Sequence, residues 1–181
     1  MKTISIICQK GGVGKTTTVV NVASIFSTIG YKTLIIDLDP QGNVSTYLNY
    51  DKNPEKDSNA IDLLEKKSDI VPGKISDNLY ILSSNIKISK FNEEKIVGGS
   101  KLQQAFNMNN LESFDLIIID TPPTMSSLVQ EALAVSDFYL IPAKPEFLAV
   151  EGVAQAMNFA KQAIKSIQNT NPLFLGVLLN Q

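Results

Sequence analysis

The chain has 181 residues, of which 44% are hydrophobic and 19% charged, the make-up of one globular domain with a single buried core. The net charge is −2, so no overall basicity advertises nucleic acid. All 16 basic residues are lysine and there is no histidine, which removes an arginine finger and a histidine base or metal ligand from within the chain; the single cysteine, Cys8, rules out a disulfide framework and fits a reducing cytosol.

Met1-Lys2 leads into only a short apolar run, which is no signal peptide. Ile4 to Cys8 reads as a buried parallel strand. A glycine-rich loop follows, then a helix from about Lys15 to Ile29. Val19, Val22, Ala23, Phe26 and Ile29 recur on it at helical spacing, and Gly30 is placed as its C-terminal cap. Thr33 to Asp37 (TLIID) is a second buried strand. Residues 49–58 (NYDKNPEKDS) form a surface excursion. Asp57 to Lys67 reads as a short helix and Leu79 to Ser83 as a short strand. Ile86 to Met108 is polar and partly helical, interrupted at Gly98-Gly99.

Phe114 to Asp120 (FDLIIID) is the clearest strand. A helix covers Ser126 to Val135, a strand Asp137 to Pro142, and a long amphipathic helix Val150 to Ile167. Leu173 to Leu179 (LFLGVLL) closes the series as a buried strand. Apolar runs such as Leu116 to Ile119 are strand-sized, far short of a membrane span. The alternation predicts an α/β fold, a mostly parallel sheet with helices on both faces, in one domain over 1–181. An edge strand usually needs cover, and nothing follows the last strand to supply it. The expectation is a single domain lacking a C-terminal part.

The stretch ICQKGGVGKTTTVV, residues 7–20, places Gly11, Gly12, Val13, Gly14, Lys15 and Thr16 between a strand and a helix, the context of a phosphate-binding loop. Its first position departs from the usual pattern, because Gln9 stands where a glycine is expected, with a second lysine, Lys10, beside it. Glycines let backbone N–H groups converge on phosphate oxygens without a Cβ in the way. The helix start adds about half a positive charge. Lys15 reaches the β- and γ-phosphates, the Thr16 hydroxyl ligates Mg²⁺, and Thr17 bonds the α-phosphate.

Asp120 ends an apolar strand, as a Walker B aspartate does, and would hold Mg²⁺ through water. Asp37 ends another, followed by Leu38 and Asp39. Strand ends on one edge of a parallel sheet converge, so all three carboxylates face the loop.

QKGGVGKTTT, IDLDPQGN and IIIDTPP together resemble the ParA subfamily of the ParA/MinD ATPases, P-loop NTPases with a deviant Walker A motif. PEFLAVEGVAQ, residues 145–155, is similar to the segment after that family's next strand. The resemblance implies ATP and Mg²⁺ as cofactors and an ATP-dependent homodimer in which Lys10 reaches the partner's phosphates. With no arginine or histidine in the chain, an in-trans cation from a homodimer must in any case be lysine. Asp39 matches the residue that positions the attacking water. Carboxylic acids ionise near pH 4 and are poor bases at neutrality, so orientation is the fitting role. Without an arginine finger, intrinsic hydrolysis should be slow, about 10⁻⁴ to 10⁻² s⁻¹.

The resemblance further implies plasmid or chromosome partitioning in the cytoplasm, non-specific DNA binding by the ATP dimer, nucleoid association, and stimulation by a ParB-like centromere-binding protein. Asn180 is the one candidate for adenine contact. Alternatives remain. A MinD-like regulator would bind membrane, but DLDPQGN and the lack of a basic amphipathic terminus argue against it. A bacterial tyrosine kinase needs a tyrosine cluster, and an iron–sulfur carrier needs more than one cysteine. A truncated nucleotide-binding module without activity is the last.

Overall fold

The computed structural model describes residues 1–94, 96, 99–146, 149–167 and 171–180. The strands are β1 (Lys2–Ile6), β2 (Thr33–Asp37), β3 (Gly73–Lys74), β4 (Leu79–Leu82), β5 (Leu116–Asp120), β6 (Phe138–Ala143) and β7 (Leu173–Leu179). The helices are α1 (Lys15–Thr28), α2 (Asn43–Tyr47), α3 (Ala60–Leu64), α4 (Lys101–Met108), α5 (Ser127–Ala134) and α6 (Ala149–Ser166), with 3₁₀ turns at Ile86–Phe91 and Leu111–Ser113. The strands form one sheet in the order β3-β4-β2-β5-β1-β6-β7. Every neighbouring pair is parallel except β3, which runs antiparallel to β4.

All residues of β2 and β5 are buried, because their continuous apolar runs are covered on both faces. Leu34, Ile36, Ile117 and Ile119 pack with Leu63 and Leu64 of α3, Leu102 of α4 and Leu128 of α5. Alternate residues Ile35 and Ile118 point the other way, onto Val19 and Ala23 of α1. Ile7, Tyr139 and Ile141 meet the small face of α6 at Ala156, Ala160 and Ala163. The period of two along each strand thus feeds both helical layers.

Helix α1 stops as expected. Gly30 takes φ +100°, with its N–H on Ser27 O and the Tyr31 N–H on Phe26 O, the paired bonds of a left-handed helix terminus. Ile29 does not belong to the buried face: it is the C-cap and lies exposed, because the helical spacing ends one residue earlier. The helix expected over 57–67 shrinks to α3, since Asn59 caps it with a reciprocal bond to Asp62. The partly helical stretch resolves into the first 3₁₀ turn and α4; of the expected interruption, Gly98 lies outside the described residues. So do Phe147 and Leu148 of PEFLAVEGVAQ, and Gln181.

The largest departure is β7. It pairs with β6, yet none of its residues is buried. Leu173, Leu175 and Leu179 are 60%, 51% and 69% exposed. An unbroken apolar run encodes cover on both faces, and among the described residues no element packs over this one. The expectation of a buried strand is therefore corrected to an exposed edge strand.

Candidate active site

The central strands β2, β5 and β1 deliver their C-terminal ends to one place. Asp37 and Ile6 are both register partners of Asp120, and the glycine loop begins just after Ile6. Gly12 and Gly14 take φ +72° and +90°, conformations that favour glycine. A Cβ on Gly14 would also stand 1.9 Å from Asn180 Nδ2. Gly14 is the N-cap of α1, with no side-chain cap and no acid in the first turn. The first amides of the helix are thus left to whatever anion comes to the loop.

An open cleft of about 440 Å³ lies against this loop. It is lined by Gly11, Gly12, Gly14, Lys15, Thr16 and Thr17 from the loop and helix start, and by Asp39, Gln41, Asn43, Tyr47 and Pro123. Lys15 is buried and its Nζ donates to Lys10 O at 3.3 Å. Thr16 Oγ1 donates to Asp120 Oδ2 at 2.7 Å.

The three aspartates converge as expected. Asp37 and Asp120 are fully buried and Asp39 nearly so. The Asp39 N–H donates to Asp37 Oδ1 at 2.9 Å, and the Gln41 N–H donates to Asp39 Oδ1 at 2.9 Å. Asp37 Oδ2 and Asp120 Oδ1 are buried with no hydrogen-bond partner. Burial pushes the Asp120 carboxyl up to about 7, with Asp39 adding repulsion, while the Thr16 hydroxyl and Lys15 pull it down. Burial raises Asp37 well above the usual carboxylate range, and Asp120 and Asp39 raise it further; the Asp39 and Val44 N–H groups oppose this.

Two orphaned carboxylate oxygens on adjacent strand ends, beside a hydroxyl, are a donor set suited to a hard divalent cation. Among the described residues no group of three or more His, Cys, Asp or Glu could hold a metal. A cation here would therefore draw on phosphate oxygens and water as well, the usual habit of Mg²⁺.

The raised carboxyls make a pH prediction for the nucleotide-free chain. A buried acid titrating at about 7 keeps its proton in the folded state while the unfolded chain loses it near pH 4. The contribution of Asp120 to stability therefore falls as pH rises between those limits and is level above about 7. In Asp120→Asn that fall should flatten. Melting curves of both proteins from pH 4 to 8 check it, and parallel curves would show that Asp120 is ionised throughout.

Lys10 is turned away from the cleft. Its Nζ forms an ion pair with Glu146 Oε2 at 3.0 Å, which holds the Glu146 carboxyl below its ordinary range. Val13 is buried and offers the loop only its backbone. Asn180 stands behind the loop, its Nδ2 3.4 Å from Val13 O, and does not line the cleft. Sequence reasoning missed Gln41, Asn43, Tyr47 and Pro123, and missed Glu146 as the partner of Lys10. Gln41 and Asn43 lie inside DLDPQGN, Pro123 inside IIIDTPP and Glu146 inside PEFLAVEGVAQ, so these were legible in principle; Tyr47 becomes a neighbour of the loop only through folding.

A family model described as an AAA domain (AAA_31) matches residues 1–172. The sporulation initiation inhibitor protein Soj of Bacillus subtilis (strain 168) is 35% identical over 184 residues, spanning 98% of this chain and 72% of that protein. The chromosome-partitioning ATPase Soj of Thermus thermophilus is 29% identical over 181 residues, spanning 99% and 69%. Among solved structures, cobyrinic acid a,c-diamide synthase from Mycobacterium smegmatis, with bound ADP and magnesium, superimposes with a TM-score of 0.85 at 27% identity, covering 99% of this chain and 74% of that one.

Proposed function

We propose, because the chain belongs to the ParA/Soj family of partition ATPases, that it is an ATP-operated dimerisation switch for plasmid or chromosome partitioning. The observation that most favours this reading is the division of labour between two loop lysines. Lys15 lines the cleft, whereas Lys10 points out of it onto an exposed carboxylate. A cation that served its own phosphates would sit with Lys15.

In this reading the backbone amides of Gly11 to Gly14, with Lys15, Thr16 and Thr17, hold the triphosphate. Thr16, Asp37 and Asp120 would hold Mg²⁺, which when bound neutralises charge on the phosphates. Asp39 orients the attacking water through its carboxylate, itself aimed by the Gln41 N–H. Lys10 leaves Glu146 and reaches the triphosphate of a second copy. Both partners of that ion pair are about half exposed, 41% and 53%, so releasing it costs little. ATP then favours the dimer by contacts that hydrolysis removes.

The remaining parts of the cycle are drawn from the family. They are stimulation by a ParB-like centromere-binding protein, non-specific DNA binding by the dimer, and work in the bacterial cytoplasm at the nucleoid. Among the described residues no helix is long and apolar enough to cross a membrane.

The deciding experiment is sedimentation velocity of the wild type and Lys10→Ala, with ADP and with a slowly hydrolysed ATP analogue, each with and without DNA. The wild type should dimerise only with the analogue. Lys10→Ala should stay monomeric while binding the analogue normally by calorimetry. An intact analogue-dependent dimer in the variant removes the trans role of Lys10.

A further inference from the structure

Lys52 lies outside the cleft, yet its contacts lead into it. It belongs to the 49–58 excursion, a segment without regular helix or strand. Its Nζ donates to Gln41 O at 2.5 Å. Its Cδ and Cε lie 3.1 and 3.3 Å from the point where a Cβ on Gly42 would stand, and Ser84 O lies 2.5 Å from that same point. Gly42, at φ +60°, is packed between the two.

The turn so held is the one that sets Asp39. The Gly42 N–H donates to Asp39 O at 2.9 Å, and the Gln41 N–H donates to the Asp39 carboxylate. The Gln41 carbonyl held by Lys52 and the Gly42 N–H share one peptide plane, so a shift of that peptide would loosen the turn on which Asp39 and the Gln41 N–H sit.

Lys52 is presented from an anchored loop. The Tyr50 N–H donates to Ser45 O at 2.9 Å and the Tyr50 hydroxyl to Asp57 Oδ2 at 2.6 Å. The Tyr50 ring occupies the space over Gly73 that a Cβ would need. Among the described residues Lys52 forms no ion pair with a carboxylate, so its ammonium is committed to the turn.

The geometry points to Lys52 as a positioning residue for ATP hydrolysis, acting through Gln41 on Asp39. It rests on the water-orienting role proposed for Asp39. A charged donor on the Gln41 carbonyl makes a strong hydrogen bond and holds the Gln41–Gly42 peptide, whose N–H closes the turn on Asp39 O; small displacements of an orienting group carry large rate effects.

The test compares wild type, Lys52→Met, Lys52→Arg and Asp39→Ala, measuring kcat at saturating ATP, analogue affinity by calorimetry, and melting temperature. Lys52→Met keeps the stem over Gly42 and removes the donor. It should lower kcat about five- to tenfold, with analogue affinity and melting temperature unchanged. Lys52→Arg should restore most of the rate. In the Asp39→Ala background, adding Lys52→Met should slow the residual rate no further, because its target is gone.

Unchanged kcat in Lys52→Met beside a disabled Asp39→Ala would overturn the inference and leave the ATPase reading standing. Loss of affinity or melting temperature in Lys52→Met, without rescue by arginine, would make Lys52 merely structural and overturn it as well. Normal turnover by Asp39→Ala would remove the role of Asp39, and the inference with it.

Discussion

Replacing Lys15 with alanine should weaken nucleotide binding by about 10- to 150-fold, the equivalent of one charge-assisted hydrogen bond of about 1.5–3 kcal/mol. Lys15 is 7% exposed and among the described residues forms no ion pair with a carboxylate. Its bonding partner is a backbone carbonyl. The nucleotide-free chain therefore keeps a desolvated cation that is only partly compensated, by that carbonyl and by Asp120 at longer range. Such an arrangement contributes little to folding and is suited to meet phosphate.

The two measurements should consequently diverge. Without nucleotide, Lys15→Ala should melt at or slightly above the wild-type temperature. With ATP analogue at about 100 times the wild-type dissociation constant, the wild type gains about 2.7 kcal/mol, whereas a variant binding 100-fold more weakly gains about 0.4 kcal/mol. Calorimetry finding equal affinity would take Lys15 out of the phosphate site. Loss of the fold in the variant would instead show that the ammonium is a structural group.

Asp39→Ala should reduce turnover about 100-fold and leave a dimer that persists with ATP itself. Nothing in the contacts of Asp39 holds the loop together from the phosphate side. Its carboxylate faces the cleft and accepts from Gln41. Binding should survive its loss, while the water is no longer directed. A second readout follows from electrostatics. Asp39 repels both Asp37 and Asp120 and raises their carboxyls, so removing it should shift the pH dependence of stability toward lower pH. Asp39→Asn should reproduce that shift while keeping an oxygen for the Gln41 N–H. Its turnover separates the charge of Asp39 from its position. Wild-type turnover in Asp39→Ala would end the water-positioning role.

These expectations came unequally from sequence and structure. The sheet was legible because apolar runs of strand length, such as TLIID and LIIID, can be satisfied only by burial on both faces. The phosphate loop was legible because Gly12 and Gly14 mark backbone at positive φ, followed at once by Lys15 and Thr16. The aspartates were legible as strand-end residues, since strand direction alone sends Asp37 and Asp120 to the loop. β7 read wrongly for an instructive reason. LFLGVLL specifies apolar cover but carries no information about whether cover is present.

Local pattern along the chain determined the nucleotide loop, the parallel sheet and the carboxylates at its edge, because each is written in residues a few positions apart. Only tertiary structure decided that Lys10 faces Glu146, 136 positions away, that Asn180 packs behind Gly14, and that Lys52 reaches over Gly42 to Gln41. Those contacts join side chains from loops, whose paths across the surface are set by where their ends are anchored and not by any periodicity of their own.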